Sequence, residues 1–292
     1  MNKRTKLDGI SLSDLKCFTR IGKLFYMLHA YFDESVSPDK GIMCVGGVLA
    51  PESTWRRIEP RWAARVKIDS DKSVKDGLKP QARYHATDCA SMVNEYAGWK
   101  EDRQVRLTKR LLDVIGAGNK NVVGAKPILM ACGISYSEMR DAFPQIRKPA
   151  DIRWHSYKLC MAKCLQMVAD IMRRKFPDDL VTVIYDRTTE FDTAAQSAKR
   201  GIFPIGAWTS RYVVAFTDGG WEKYIALQPA DLVAFEGYKL TESCKHGTGY
   251  VRRSVQGITQ RHIPIALGFY TPQSFLDYKA IMGNSMDRNA VD

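Results

Sequence analysis

Apolar runs of strand length alternate with longer segments in which apolar residues recur at helical spacing. The strand-like runs are rich in β-branched and aromatic residues and lie at 24–33, 42–50, 128–134, 179–186 and 211–217. Helical spacing predicts helices at 51–68, 101–115, 152–176 and 225–240. Strands and helices that alternate in this way predict an α/β domain with a mixed central sheet flanked by helices.

The segments between these runs add local expectations. A short polar loop with Pro38 and Gly41 joins the first two runs and predicts an antiparallel hairpin. The Gly46-Gly47 pair predicts a bulge or a close backbone approach. Pro60 is expected to weaken the middle of its helix. We expect two charged segments, 69–83 and 241–262, to be exposed loops.

The length of 292 residues permits one large domain or two small ones. The first residues are basic and then mildly amphipathic, and the last are polar, without an internal repeat between them. We therefore expect an N-terminal arm at 1–23, a single α/β domain at 24–283 and a flexible tail at 284–292.

Three aspartates occupy comparable places in these elements. Asp33 ends the first apolar run and is followed by Glu34, Asp186 ends the run 179–186, and Asp231 lies in the first turns of the helix 225–240. An ionised carboxylate near a core is costly unless it is paired or bound to a metal. The ends of neighbouring strands gather at one edge of an open α/β sheet, so these carboxylates are expected to converge.

Converging carboxylates form a hard, oxygen-rich site that suits Mg²⁺ or Mn²⁺. Two such ions about 4 Å apart activate a water and stabilise the leaving oxygen of a phosphodiester. Each aspartate alone also fits a turn former or a helix cap.

The net charge points to an anionic partner. The chain carries 44 Lys and Arg against 32 Asp and Glu, a formal charge of +12. Nucleic acid, either DNA or RNA, is the first candidate for such a surplus, and colloidal repulsion is the alternative.

The cysteines and the apolar runs bear on location. The seven cysteines are odd in number and lie mostly in apolar segments, and the first twenty residues lack an apolar signal-peptide core. With no run near the roughly 18 residues of a membrane span, we expect a cytoplasmic protein without a membrane partner. Cys160 and Cys164 favour a buried helix face over a metal site with His155.

Four segments together resemble one family. They are Tyr31-Phe32-Asp33-Glu34-Ser35, Tyr84-His85-Ala86-Thr87-Asp88, the strand that ends at Asp186, and Leu227-Gln228-Pro229-Ala230-Asp231-Leu232-Val233-Ala234. They resemble the DUF3800 family, an uncharacterised group with a DE motif near its N-terminus and a QxxD motif near its C-terminus, over roughly residues 26–240. The order of the three aspartates also resembles ribonuclease H-like nucleases of the resolvase and integrase type. The resemblance implies a ribonuclease H-like mixed sheet with helical insertions and a divalent-metal nuclease.

The resemblance carries over residue by residue. Asp33 and Glu34 match the DE motif, and Gln228 and Asp231 match QxxD. His85 matches a recurring histidine, Asp186 matches by its position at a strand end, and Asp218 resembles an aspartate before the last helix. Val36 stands where the family often has glycine, which alters the turn and removes no ligand.

These matches imply roles. Asp33, Asp186 and Asp231 are expected to be metal ligands. Glu34 is expected to be a fourth ligand or a base, provided that the strand breaks at Asp33, because adjacent strand side chains point to opposite faces.

Two further residues have competing interpretations. His85 either protonates a leaving group or contacts a phosphate, or it is structural. Gln228 either orients a phosphate or a water, or it caps its helix.

Three rival functions remain at this point. A phosphatase with Asp186 as nucleophile would lack its general acid, because Thr188 stands where the second aspartate is needed. A non-catalytic module would keep the fold and bind nucleic acid or protein. A metal-independent ribonuclease built on His85 would survive EDTA.

Overall fold

The sheet is the centre of the structure, a computed structural model that describes residues 27–116, 126–188, 190–202, 209–248 and 251–270. Six strands form one sheet in the order β5-β4-β1-β2-β3-β6. The strands are β1 (Met27–Ser37), β2 (Ile42–Pro51), β3 (Ile128–Ser135), β4 (Leu180–Asp186), β5 (Val213–Gly219) and β6 (Ile265–Phe269). β2 is antiparallel to both of its neighbours, β1 and β3. The other pairings are parallel: β4 pairs with β1 and with β5, and β6 pairs with β3. The predicted α/β class and mixed sheet are therefore confirmed.

Helices cover both faces of this sheet. They are α1 (Glu52–Lys75), α2 (Ala86–Ser91), α3 (Glu101–Gly116), α4 (Tyr136–Ala142), α5 (Pro149–Lys175), α6 (Asp192–Ile202), α7 (Thr209–Tyr212), α8 (Leu227–Lys245) and α9 (Arg253–Gln260). One core lies between the sheet and α5, and the other lies between the sheet and α8, with apolar residues of α1 and α3 contributing to this second core. Along β1 the side chains alternate, so Phe32 enters the α5 core and Tyr31 enters the α8 core.

Helix α1 corrects the prediction of a charged loop at 69–83 for residues 69–75, whereas 76–83 contain neither helix nor strand, as predicted. It continues through Pro60 to Lys75 because Trp55, Ile58 and Trp62 bury one face of it. One face of its polar last turns is buried as well, where Arg103 donates to the Asp69 carbonyl and to the Ser73 hydroxyl at 2.9 and 2.8 Å.

The basic segment 241–262 is also more ordered than expected. Helix α8 extends to Lys245, and α9 occupies part of the remainder. The buried side chain of Ile258 packs α9 into the α8 core. The many basic residues of the segment predicted a loop and gave no sign of this contact. The strand predicted at 211–217 begins two residues later, after the short helix α7, and ends at Gly219.

The predicted hairpin of β1 and β2 is confirmed, and the glycine pair in β2 marks a close approach. The register runs without interruption through Asp33–Gly46 and Phe32–Gly47. A Cβ atom added at Gly46 would lie 2.3 Å from the backbone nitrogen of Ala234. Helix α8 therefore lies directly on the backbone of β2, closer than any side chain would permit.

Several expectations concern the ends of the chain and its cysteines. The predicted arm at 1–23, the tail at 284–292 and residues 24–26 of the first predicted strand lie outside the described residues. Within the described ranges, no helix combines the length and apolarity needed to cross a membrane. Cys160 and Cys164 are free thiols, fully buried in the α5 core, which confirms the buried helix face.

We expect Gly46→Ala to destabilise the fold by about 2 to 3 kcal/mol, because the methyl group collides with a helix backbone that cannot rotate away. Urea unfolding monitored by circular dichroism measures this loss. Gly268→Ala is the matched control in a strand, since its new Cβ meets the flexible Lys163 side chain at 3.1 Å. Equal losses in the two variants would contradict a rigid contact at Gly46.

Candidate functional site

Asp33 and Asp186 lie side by side where two parallel strands end their pairing. The ladder between β1 and β4 ends with Phe32 opposite Tyr185, so the next residues along the strands are Asp33 and Asp186. Phe32 and Tyr185 both point into the α5 core. Alternation therefore directs both aspartates to the opposite face, which α8 covers.

Asp231 reaches the same place from the helix. It lies in the second turn of α8, and its Oδ2 accepts a hydrogen bond from the Ala86 backbone N–H at 2.7 Å. Asp33, Asp186 and Asp231 line one small pocket. The structure thus brings together the three residues that the sequence predicts as metal ligands, from three separate elements.

Burial and mutual repulsion dominate the electrostatics of this pocket. Burial raises the pKa of Asp33 well above its usual value, and the charges of Asp231, Glu34 and Asp186 raise it further. Burial also raises the pKa of Asp231 to about 6, although His85, the hydrogen bond from Ala86 and Arg83 act against that shift. The pocket therefore concentrates more negative charge than its protein surroundings neutralise.

Glu34 lies on the other face of the sheet. β1 does not break at Asp33 but stays paired with β2 as far as Ser37, so the condition for Glu34 to share the face of Asp33 is not met. The neighbour of Glu34 on that face is Tyr157 of α5, whose pKa is raised by burial and next by the Glu34 charge. In this strand geometry Glu34 does not share the face of Asp33, and its expected role as a fourth ligand or a base stays a prediction.

The Glu34 carboxyl nevertheless remains coupled to the pocket. Burial raises its pKa to about 8, and Asp186 adds to the shift. Its Oε2 is buried and forms no hydrogen bond of good geometry with a described group, although the Thr188 hydroxyl is near enough to lower the pKa. Glu34 is thus suited to hold a proton beside the pocket.

His85 lies near the carboxylates of this pocket. His85 precedes α2, and its Nδ1 lies 3.1 Å from Asp88 Oδ2. Its charge lowers the pKa values of both Asp186 and Asp231, which places the imidazole beside them.

Gln228 is a structural acceptor and does not cap its helix. Its Oε1 accepts hydrogen bonds from Trp62 Nε1 at 3.0 Å and from the Tyr84 backbone N–H at 2.9 Å. Gln228 and Asp231 together therefore bind two backbone N–H groups of the segment 84–86. The QxxD motif holds this segment, with His85 in its middle, against α8.

Sequence patterns alone missed Arg83 and Trp221. Both line the pocket, and the Arg83 Cζ lies 5.0 Å from the centroid of the Trp221 ring. The Arg83 charge lowers the pKa values of Asp186 and Asp231. The one sequence feature that could have predicted Arg83 as a pocket residue is its position two residues before His85, next to a segment that carries the resemblance.

Asp218 does not join this cluster. Its carboxylate pairs with the guanidinium of Arg187. It lies opposite Tyr185 in the ladder between β4 and β5, one residue out of step with Asp186. It therefore serves as a strand-end aspartate outside the site.

The three carboxylates have the ligand chemistry that a hard divalent cation requires, but their present arrangement is not a complete metal-binding site. Carboxylate oxygens are the ligands that Mg²⁺ and Mn²⁺ prefer, and the raised pKa values show that the group lacks sufficient positive charge. The pocket has room for about 10 Å³, roughly one water-sized sphere. Across the part of the chain that the structure describes, no three His, Cys, Asp or Glu side chains are already arranged to hold a metal ion.

Comparison with known proteins adds no relative. No family model matches the chain, and no curated protein does so either. The resemblance to the DUF3800 family accordingly rests on the four sequence segments alone.

We expect the cluster to make stability fall with rising pH when EDTA is present. The folded-state pKa values are raised, so this contribution is complete below about pH 4 and is lost as the pH passes about 6 for Asp231 and about 8 for Glu34. Glu34→Gln keeps the uncharged form. The free energy of unfolding of this variant, relative to that of the wild type, should therefore increase as the pH rises from 5 to 8.

Chemical denaturation at several pH values measures this difference. Asp218→Asn is the control and should follow the wild-type pH profile, because Asp218 lies outside the cluster. Parallel profiles for Glu34→Gln and wild type would show that Glu34 is not held in its uncharged form.

We expect Gln228→Met to cost about 2 to 4 kcal/mol of stability, because it leaves two buried N–H donors without an acceptor. Thermal and urea unfolding measure the loss. Gln166→Met, at an exposed position on α5, should change stability by less than about 0.5 kcal/mol. A Gln228 variant as stable as the control would contradict the positioning role.

Proposed function

We propose that this protein is a divalent-metal-dependent nuclease that hydrolyses phosphodiester bonds of DNA or RNA. The observation that carries the proposal is the meeting of Asp33, Asp186 and Asp231, from β1, β4 and α8, in one small pocket where β1 and β4 end their pairing. A cluster of buried carboxylates without enough counter-charge is suited to cations, and cations held there suit phosphate chemistry.

The sheet supports a ribonuclease H-like assignment. Five neighbouring strands follow the order β3-β2-β1-β4-β5, and β2 alone is antiparallel to the others. The position of the aspartates agrees with this assignment, since two of them lie side by side on adjacent central strands, just past the last paired residues of β1 and β4, and the third lies on helix α8. Membership of the DUF3800 family and a cytoplasmic location are part of the same proposal.

The residues of the site divide the work as follows. Asp33, Asp186 and Asp231 would hold Mg²⁺ or Mn²⁺, which when bound would activate a water and offset the charge of the phosphate. Arg83 brings its guanidinium to the same pocket, where it binds a phosphate oxygen. Gln228 and Asp231 fix the segment 84–86, so the placement of Arg83 and His85 depends on the QxxD motif.

His85 is the proposed proton donor to the leaving oxygen. Its Nδ1 faces Asp88, which leaves Nε2 as the nitrogen that exchanges the proton. Glu34, whose raised pKa of about 8 favours the protonated form, retains a proton on the other side of Asp186.

A second candidate is a non-catalytic module that binds nucleic acid or protein. It is favoured by one observation: within the described ranges, the acidic side chains do not already form a metal-binding group. In that case addition of Mg²⁺ or Mn²⁺ would not raise the melting temperature.

The test is cleavage of labelled single-stranded and duplex DNA and RNA with Mg²⁺, Mn²⁺ or EDTA. We expect cleavage with a metal and none with EDTA. Asp33→Asn and Asp231→Asn should each reduce the rate by about a hundredfold or more, since even supporting residues of metal sites contribute ten- to a hundredfold. Asp218→Asn, a strand-end aspartate paired with Arg187, should keep wild-type activity.

Three results would count against the proposal. Absence of cleavage of every substrate would favour the binding module, and equal activity of all three variants would remove the carboxylates from the reaction. Cleavage that persists in EDTA and is lost in His85→Ala would point to a metal-independent ribonuclease.

A further inference from the structure

A second cavity of about 420 Å³ adjoins the carboxylate pocket. It lies between α1 and the segment that leads into α8, and it shares Trp221 and Gln228 with the pocket. The volume falls in the range of about 300 to 1,000 Å³ that small-molecule and cofactor sites occupy in proteins. The two concavities therefore adjoin at these two residues.

Trp221 stands where the two concavities meet. Its indole is partly exposed, and Arg83 stacks against it with Cζ 5.0 Å from the ring centroid. The Arg83 guanidinium also acts on Asp186 and Asp231, whose pKa values it lowers, so it lies between the carboxylates and Trp221. A partly exposed aromatic ring beside a guanidinium is a combination that binds a base and its phosphate.

The rest of the cavity is not strongly basic. Lys67 is paired with Asp71 at 3.1 Å on the α1 side, and Glu222 lies on the rim next to Trp221. The apolar side chains of Ala63, Val66 and Ile225 line part of the cavity. A ligand in this cavity must therefore be bound by stacking and apolar contact more than by charge. Such a cavity suits a nucleic-acid base better than a series of phosphates.

We propose that this cavity receives an unpaired base of single-stranded nucleic acid, stacked on Trp221, while Arg83 binds the adjoining phosphate. The direction of the strand toward the carboxylates rests on the proposed function, whereas the binding itself does not. A base in a duplex is already stacked and paired, so it reaches the cavity only after strand separation. The expected substrate class is thus single-stranded DNA or RNA.

The experiment is fluorescence anisotropy of end-labelled single-stranded oligonucleotides, with a duplex of the same length, in EDTA so that no probe is cleaved. DNA and RNA arms show which sugar the site accepts. Trp221→Ala should weaken single-strand binding roughly tenfold or more, and Trp221→Phe should retain most of it. Arg83→Gln should weaken binding and reduce the salt slope by about 0.7, the value for one phosphate contact.

The chain offers a matched control for the tryptophan. Trp154 on α5 is also partly exposed, and Lys158 stacks over it with Nζ 5.4 Å from the ring centroid, but it belongs to the opposite layer. Trp154→Ala should bind single strands as wild type does. Indole fluorescence provides a second readout: quenching by the oligonucleotide should be present in Trp154→Phe and lost in Trp221→Phe.

The outcomes separate this inference from the nuclease proposal. Binding that depends on Trp221 without any cleavage would refute the nuclease and leave the inference intact. Cleavage and binding unchanged in Trp221→Ala would overturn the inference alone. Failure of every single strand to bind, or a duplex that binds as tightly as a single strand, would also overturn it.

Discussion

The close approach of α8 to β2 at Gly46 is the constraint on which the site depends. Because no Cβ separates the two backbones, the helix lies against the sheet and carries Asp231 to the edge where β1 and β4 end their pairing. A bulkier residue at this position would lift the helix. It would separate the helical carboxylate from the two that the strands supply.

The same helix organises the segment that completes the pocket. Gln228 and Asp231 accept backbone hydrogen bonds from Tyr84 and Ala86, and Gln228 also binds the indole of Trp62 in α1. One turn of α8 thus links the sheet, α1 and the segment that bears Arg83 and His85. Packing and chemistry share residues here, so variants of the QxxD motif affect both.

The carboxylates are held in an unfavourable state that other interactions offset. Burial raises the pKa values of Asp33, Asp186 and Asp231, and nearby acids add to the shift, with Glu222 as the acid that acts on Asp186. The side chains of Arg83 and His85 act in the opposite direction on Asp186 and Asp231. Such clusters persist where function needs them, because a folded chain without that need gains stability by replacing them. The proposed cation-dependent site, with the proposed neighbouring cavity for a base, would account for both the unfavourable burial of the carboxylates and the shape of this surface.

The sequence by itself determined the local elements and which of them carry acids. Strand-length apolar runs ending at Asp33 and Asp186, and an apolar helix bearing Gln228 and Asp231, follow from periodicity within a short window. Strand neighbours, sheet order and the burial of polar residues depend on contacts between distant parts of the chain. For that reason the buried last turns of α1, with Asp69 and Ser73, were expected as a loop.

Only the tertiary structure decided which side chains share the pocket. The pairing of β1 with β2 through Ser37 sends Glu34 to the face opposite Asp33, although the two are adjacent in sequence. Arg83 and Trp221 join the carboxylates from segments that are far apart along the chain, and neither has a periodicity that marks it. Periodicity reports which face of its own element a residue occupies, whereas the site is formed by faces of several elements that meet after folding.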